Sequence, residues 1–235
     1  RKTKFYDAKS DELGSIQNLR FTVDKDEVRL EYLKNKPDQA WLYLKNPLLP
    51  GNTIIIETPF TVKIPVSFSR LGHVGQTYQI TQWYPKPAVY DHKGWHLMPN
   101  LDQGEFYSEF GNFEVSIKIP ENYVVGATGT LETETEKEFL KQRISLTDQF
   151  IKDGVEKFSN LLASSKKFKI ITYKAEQVHD FAWFADKKFY VQKDEVVLES
   201  GKKIETWAMF NTLGAWTDAV IYVGRAIAFY SKHIG

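Results

Sequence analysis

Histidine and carboxylate spacing is the most specific chemical signal open to this chain, because it has no cysteine and therefore no thiolate ligand, disulfide or Cys nucleophile. The histidines are His73, His92, His96, His179 and His233. None begins H-E-x-x-H, the pattern that sets two imidazoles on one helical face with a glutamate base between them. His92 and His96 have the four-residue spacing, but Lys93 stands where the base belongs and Gly94 breaks the helix. The segment reads as a hairpin turn carrying two surface imidazoles, and no metal site is expected in the chain. Ser, His and Asp occur without G-x-S-x-G, and no Lys-Ser or Lys-Thr pair follows Gly72-His73-Val74-Gly75 to hold a phosphate. Asp102, Glu105 and Glu109 could offer oxygens to calcium, but they lack the alternation of a calcium loop and read as a polar turn entering a strand.

The densest unusual segment is 78–99, in which Tyr78, Trp83, Tyr84, Tyr90 and Trp95 are interleaved with Pro85, Pro87 and Pro99. Rings and pyrrolidines lose little entropy on binding, so such a stretch can form a surface for sugar or extended peptide. It can equally be the core of a β corner.

The elements that must position these residues are read from periodicity. From Phe21 to Pro65 short β-type runs alternate with turn signals: 39–44, then Asn46-Pro47 and Pro50-Gly51, then 53–57 and 60–64. Phe113, Val115, Ile117 and Ile119 recur at period two with Glu114, Ser116 and Lys118 between them, which predicts a strand with one wet face, stopped by Pro120. Strands are also expected over 123–127, 168–173 and 178–184, and Val196-Val197-Leu198 faces 204–210 across Ser200-Gly201-Lys202. Residues 131–167 hold 14 charged residues and no Trp, Tyr or Pro, and read as a solvated, partly helical excursion. In 211–232 the period changes: Leu213, Trp216, Val220, Val223, Ile227 and Tyr230 predict one helix capped by Asn211 or Thr212.

A chain of 235 residues with 16 Phe, 12 Tyr and 6 Trp favours a β-rich fold. Its net charge of +1 supplies no field to gather phosphates, which argues against a nucleic-acid binder. The most apolar window, 213–230, is interrupted by Asp218 and Arg225, so no membrane span is expected.

Several segments occur in a telling order: Thr81-Gln82-Trp83-Tyr84-Pro85, Trp95-His96, Gly104 through Gly111 with the strand after it, Asn122-Tyr123-Val124-Val125-Gly126-Ala127-Thr128-Gly129, and Val178 through Asp186. Together they resemble the amino-terminal domain of the aminopeptidase N and leukotriene hydrolase family of zinc metallopeptidases, in its divergent bacterial branch. The resemblance implies a mainly β fold: a saddle-shaped antiparallel β domain over 1–205, with 206–235 and its helix opening a thermolysin-like catalytic domain that lies beyond this sequence. In that family a T-Q-x-E or T-Q-x-Q segment lines the pocket for the substrate's amino end. Gln82 matches its Gln, and Tyr84 stands at the second polar position, where a phenol offers a neutral hydrogen bond in place of a carboxylate's pairing with an ammonium.

The resulting expectation is a non-catalytic β domain that contributes a pocket wall through Gln82 and Tyr84, inactive by itself. Zinc is implied only for the catalytic domain. The implied partners are that domain and peptide substrate, and the resemblance implies an exported or cell-envelope protein. The alternative is a stand-alone module whose Trp83, Tyr84, Tyr90 and Trp95 bind carbohydrate or extended peptide. The helix over 211–232 is apolar on more than one side, which predicts that the isolated chain either self-associates through it or leaves it mobile, with little loss of stability on truncation after Phe210.

Overall fold

The structure is a computed structural model that describes residues 7–99, 107–154 and 163–234. It is mainly β, with every strand pairing given by register antiparallel, and none of its sheets closes into a barrel among the described residues. Two compact units divide it. Unit 1 comprises Arg1–His73 and Ile80–Gly111, and unit 2 comprises Val74–Gln79 and Asn112–Gly235.

Unit 1 is built of short ribbons. Its strands are β1 (Ser15–Gln17), β2 (Thr22–Val23), β3 (Asp26–Glu27), β4 (Arg29–Leu33), β5 (Lys36–Tyr43), β6 (Ile56–Glu57) and β7 (Thr61–Lys63). After β8 (Gly72–Val74) and β9 (Thr77–Ile80), where the chain passes into unit 2 and back, come β10 (Val89–Asp91) and β11 (Gly94–His96). The pairs are β1 with β7, β4 with β5, β10 with β11, and β2 between β3 and β6. The run expected over 53–57 shortens to β6, because Ile55 N–H bonds to the Asp24 carboxylate at 2.9 Å instead of a strand.

Unit 2 holds the larger core. It contains β12 (Gly111–Pro120), β13 (Val124–Ala127), β14 (Thr130–Leu131), α1 (Glu134–Asp153), β15 (Phe168–Val178), β16 (Trp183–Asp186), β17 (Tyr190–Val197), β18 (Lys203–Phe210) and α2 (Ala219–His233). β15 lies between β12 and β14, β13 pairs with β16 in a sheet continued by β9 and β8, and β17 pairs with β18. β12 follows its period-two pattern. Ile117 and Ile119 are buried, while on the wet face Ser116 meets Thr172 at 2.9 Å and Glu114 meets Lys174 at 3.2 Å. The strand expected over 178–184 is corrected: β15 runs on to Val178, and the chain turns before β16, with Gln177 at φ +53° and the Phe181 N–H bonded to Asp180.

The charged excursion is helical as expected over α1, but its solvation is a correction. Glu136, Leu140, Thr147 and Phe150 are buried on one face. That face is held through polar groups. Arg143 donates from Nε to the Phe189 carbonyl (2.8 Å) and from Nη2 to the Lys187 carbonyl (2.7 Å), and burial lowers its pKa to about 10. Thr147 Oγ1 accepts the Val191 N–H at 2.9 Å while donating to the Arg143 carbonyl. Gly154 closes the helix in the left-handed conformation at φ +65°, a common helix stop.

The terminal helix is also shorter than its periodicity suggests. Gly214 takes φ +78°, a single 3-10 turn spans Gly214–Trp216, and α2 begins only at Ala219 with Asp218 at its N-cap. Asn211, the expected cap, instead reaches Asp186 at 3.4 Å. Residue 205 lies inside β18, and the chain beyond it stays in unit 2: Val220 is buried with Phe150, Tyr190, Ala208 and Phe210.

Gly129 explains part of one ordered segment. It sits at φ +90°, and a Cβ there would lie 2.2 Å from the Lys174 carbonyl oxygen. Gly129→Ala is therefore expected to cost about 2 kcal/mol from conformation and overlap together, read as a lowered urea midpoint; an unchanged midpoint would contradict this geometry.

Candidate functional site

Ile80, almost fully buried, ends β9 and fixes the start of the Thr81-Gln82-Trp83-Tyr84-Pro85 segment. Gln82 then adopts φ +50°, a left-handed conformation that costs a non-glycine residue about 1 kcal/mol or more. The turn is held from both ends. Trp83 packs against Phe60 (centroids 6.1 Å) and against Tyr84 (5.3 Å). Lys86 Nζ donates to Ser108 Oγ at 2.6 Å, and Val89 is buried beyond it.

One polar side chain in this turn is buried and unspent. Thr81 Oγ1 has no hydrogen-bond partner among the described residues, and the half-buried Gln82 side chain follows it. Buried polar groups are nearly always paired, so each such exception asks for a reason. Tyr84 is half-buried, its ring turned edge-on to Trp83. Gln82 and Tyr84 thus share one short turn of unit 1, as the sequence places them. Thr81 is legible only as the first residue of the T-Q segment, and the Phe60 ring beside Trp83 has no sequence signal, since it lies 23 positions away with no spacing that ties the two.

The His92-to-His96 segment forms the β10–β11 hairpin. His92 is exposed as expected, but His96 is half-buried, which corrects its reading as a surface imidazole. Its Nε2 lies 2.8 Å from Asp91 Oδ1, and its ring meets Tyr107 edge-on at 5.2 Å. His96, followed by the Lys93 N–H, holds the Asp91 carboxyl below the usual aspartate range. A depressed carboxylate contributes stability that is present above its unfolded pKa, about 3.9, and lost as pH falls through the lowered folded value. The Asp91 carboxyl resonance is expected to titrate with a midpoint below about 3.9; a midpoint at or above it would dissolve the pair.

Among the described residues no group of three or more His, Asp or Glu side chains could hold a metal ion. The described donors do not fit a zinc site, and no chemical step is assigned to one. Of the calcium candidates, Asp102 and Glu105 lie outside the described residues, and Glu109 is exposed. No helix among the described residues is long and apolar enough to cross a membrane.

No protein-family model and no curated protein matches the chain. Among solved structures it is similar to the crystal structure of a two-domain M1 zinc metallopeptidase mutant bound to L-arginine, with 12% sequence identity and a TM-score of 0.48. The match covers 93% of this chain and 43% of the other, so this chain spans less than half of that protein's length. Identity and score at that level establish neither a shared activity nor a shared site.

Proposed function

We propose that the chain is the non-catalytic amino-terminal β domain of an aminopeptidase N-like zinc metallopeptidase, with 206–235 leading toward a catalytic domain that hydrolyses peptides. The observation that carries the reading is Gln82: a residue held at φ +50°, beside the buried and unspent hydroxyl of Thr81. Strain and unpaired polar capacity concentrate where a backbone is held for binding. The ordered segments that resemble the family support the same reading, as does the mainly β architecture.

In this reading Gln82 hydrogen-bonds the amino end of the substrate and Tyr84 shapes the same wall. Neither residue performs bond cleavage, so the chain alone is expected to turn over no aminoacyl-anilide. The test uses the full-length protein. Gln82→Ala is expected to lower kcat/KM by about 10- to 100-fold, the loss of one hydrogen bond to a charged group at roughly 1.5–3 kcal/mol, with zinc content unchanged. Wild-type kinetics in the variant would remove Gln82 from the site. A full-length protein without zinc or peptidase activity would overturn the whole reading.

A further inference from the structure

The aromatic residues of 78–99 separate into three groups. Tyr78 meets Tyr123 at 6.1 Å, and Trp83 packs with Phe60 and Tyr84, as described above. Tyr90 and Trp95 lie directly opposite each other on β10 and β11, with ring centroids 4.9 Å apart, and Trp95 also meets Trp41 of β5 at 6.5 Å. These last three rings belong to unit 1. They are not core: Tyr90 is 65% exposed, Trp95 52% and Trp41 40%.

We propose that Trp41, Tyr90 and Trp95 form a binding site for a short oligosaccharide of pyranose units, separate from the Gln82 turn and independent of the peptidase reading. Size argues for a small ligand. Large aromatic side chains can bury about 150–250 Å² each, so three half-exposed ones offer roughly 300–400 Å², well short of the about 800 Å² per partner of a stable protein interface. Ring geometry argues for separate sugar rings on separate faces. The interplanar angles are 56° for Tyr90 with Trp95 and 78° for Trp41 with Trp95. No flat shared platform exists, and each π-face can take the C–H face of one pyranose along a bent chain.

Hydroxyl-bearing ligands also need polar groups at the rim, and the strand register supplies them. Glu31 lies directly opposite Trp41, and Arg29 opposite Tyr43. Arg29 and Glu31 are ion-paired, and the guanidinium stands 4.6 Å over the Tyr43 ring. Gln39, two residues before Trp41 and so on the same face of β5, has both amide atoms buried without a hydrogen bond among the described residues. An amide with a donor and an acceptor unspent beside these rings is matched by a sugar's vicinal hydroxyls better than by an aliphatic side chain, and turns outward to meet them.

The test follows the six Trp indole N–H resonances of the chain while a β-1,4-linked glucose trimer, a β-1,4-linked N-acetylglucosamine trimer and a proline-rich peptide are titrated in turn. At least one trimer is expected to shift the Trp41 and Trp95 signals. Trp95→Ala and Tyr90→Ala should each weaken that binding about fivefold or more, the loss of one stacked ring. Tyr32→Ala removes an exposed aromatic on the other face of the β4–β5 ribbon and should leave it unchanged. Should Trp95→Ala misfold, the more exposed Tyr90→Ala decides. Silence of Trp41 and Trp95 with both trimers, undiminished affinity in Tyr90→Ala, or a response to the peptide alone would each overturn the assignment.

Discussion

Lys169→Met is expected to destabilise the protein by about 3–5 kcal/mol, whereas Glu136→Leu combined with Lys169→Met should restore most or all of the loss. The Glu136 side chain is 3% exposed and that of Lys169 17%, with Nζ 2.7 Å from Oε2. The ammonium also stands 3.9 Å over the Phe139 ring. Removing the cation alone leaves a buried carboxylate without its counter-charge, while removing both ions removes the desolvation cost with the attraction. Burial outweighs pairing for both partners: it raises the Glu136 pKa and lowers that of Lys169, with each partner opposing the shift in the other.

The signs follow by linkage. A raised carboxyl pKa contributes stability that is full below the unfolded value, about 4.3, and lost as pH rises through the folded value. A lowered lysine pKa contributes stability present above about 10.4 and lost as pH falls through its folded value. Near neutrality both ions are therefore held at a cost, which is why the apolar double replacement is expected to be neutral or stabilising. Urea unfolding of the single and double variants at pH 7 checks this. A double variant as weak as Lys169→Met would show that the pair contributes more than it costs.

Truncation after Phe210 is expected to cost roughly 3–5 kcal/mol, reversing the expectation of little loss drawn from periodicity. The lost segment carries Val220, buried in the cluster with Phe150, Tyr190, Ala208 and Phe210, together with Leu213 and Ala219 packed against it. It also carries the Thr217 carbonyl that accepts a 2.6 Å bond from Gln192 Nε2. Burying a valine side chain alone is worth about 1.5–3 kcal/mol, and its loss uncovers Tyr190, which stacks on Phe210 at 5.8 Å. Thermal melts of the two lengths decide the matter; equal midpoints would place α2 outside this core. The opposite side of α2 still exposes Tyr222, Phe229 and Tyr230, so the proposal of self-association through this helix concerns that face, and sizing of Tyr222→Ser, Phe229→Ser tests it.

A strand with one wet face was legible in β12 because alternation is a local signal; β13 and β18 also lie within a few residues of where the sequence places them, whereas β17 begins at Tyr190, well before Val196-Val197-Leu198. What escaped was burial by pairing. The stripe of Glu136, Leu140, Arg143, Thr147 and Phe150 contains two apolar residues and looks solvated. It is buried because Lys169, two carbonyls and the Val191 N–H satisfy its polar members, and those partners lie 33 to 46 positions away. The T-Q segment was visible as a motif, but its strain was not, since nothing in the letters around Gln82 requires a left-handed backbone. The split of the aromatic segment was hidden for the same reason as the α1 face: Phe60 and Trp41, which sort its rings, are remote in sequence.

Arg143 and Thr147 have one more property: these three bonds all run to main-chain atoms. Every residue type except proline at 191 presents the same N–H, and every type at 187 and 189 the same carbonyl. The hydrogen-bonded part of the alignment therefore does not depend on the residue types at 187, 189 and 191, provided a forked guanidinium persists at 143. Lysine, with a single point of charge, cannot span both carbonyls as a planar fork does. The side chains at 189 and 191 are fixed by packing instead: Phe189 and Val191 are buried in one cluster with Leu140 of α1, so both positions need an apolar residue of similar size. The polar fastening thus tolerates side-chain changes that the apolar packing around it does not.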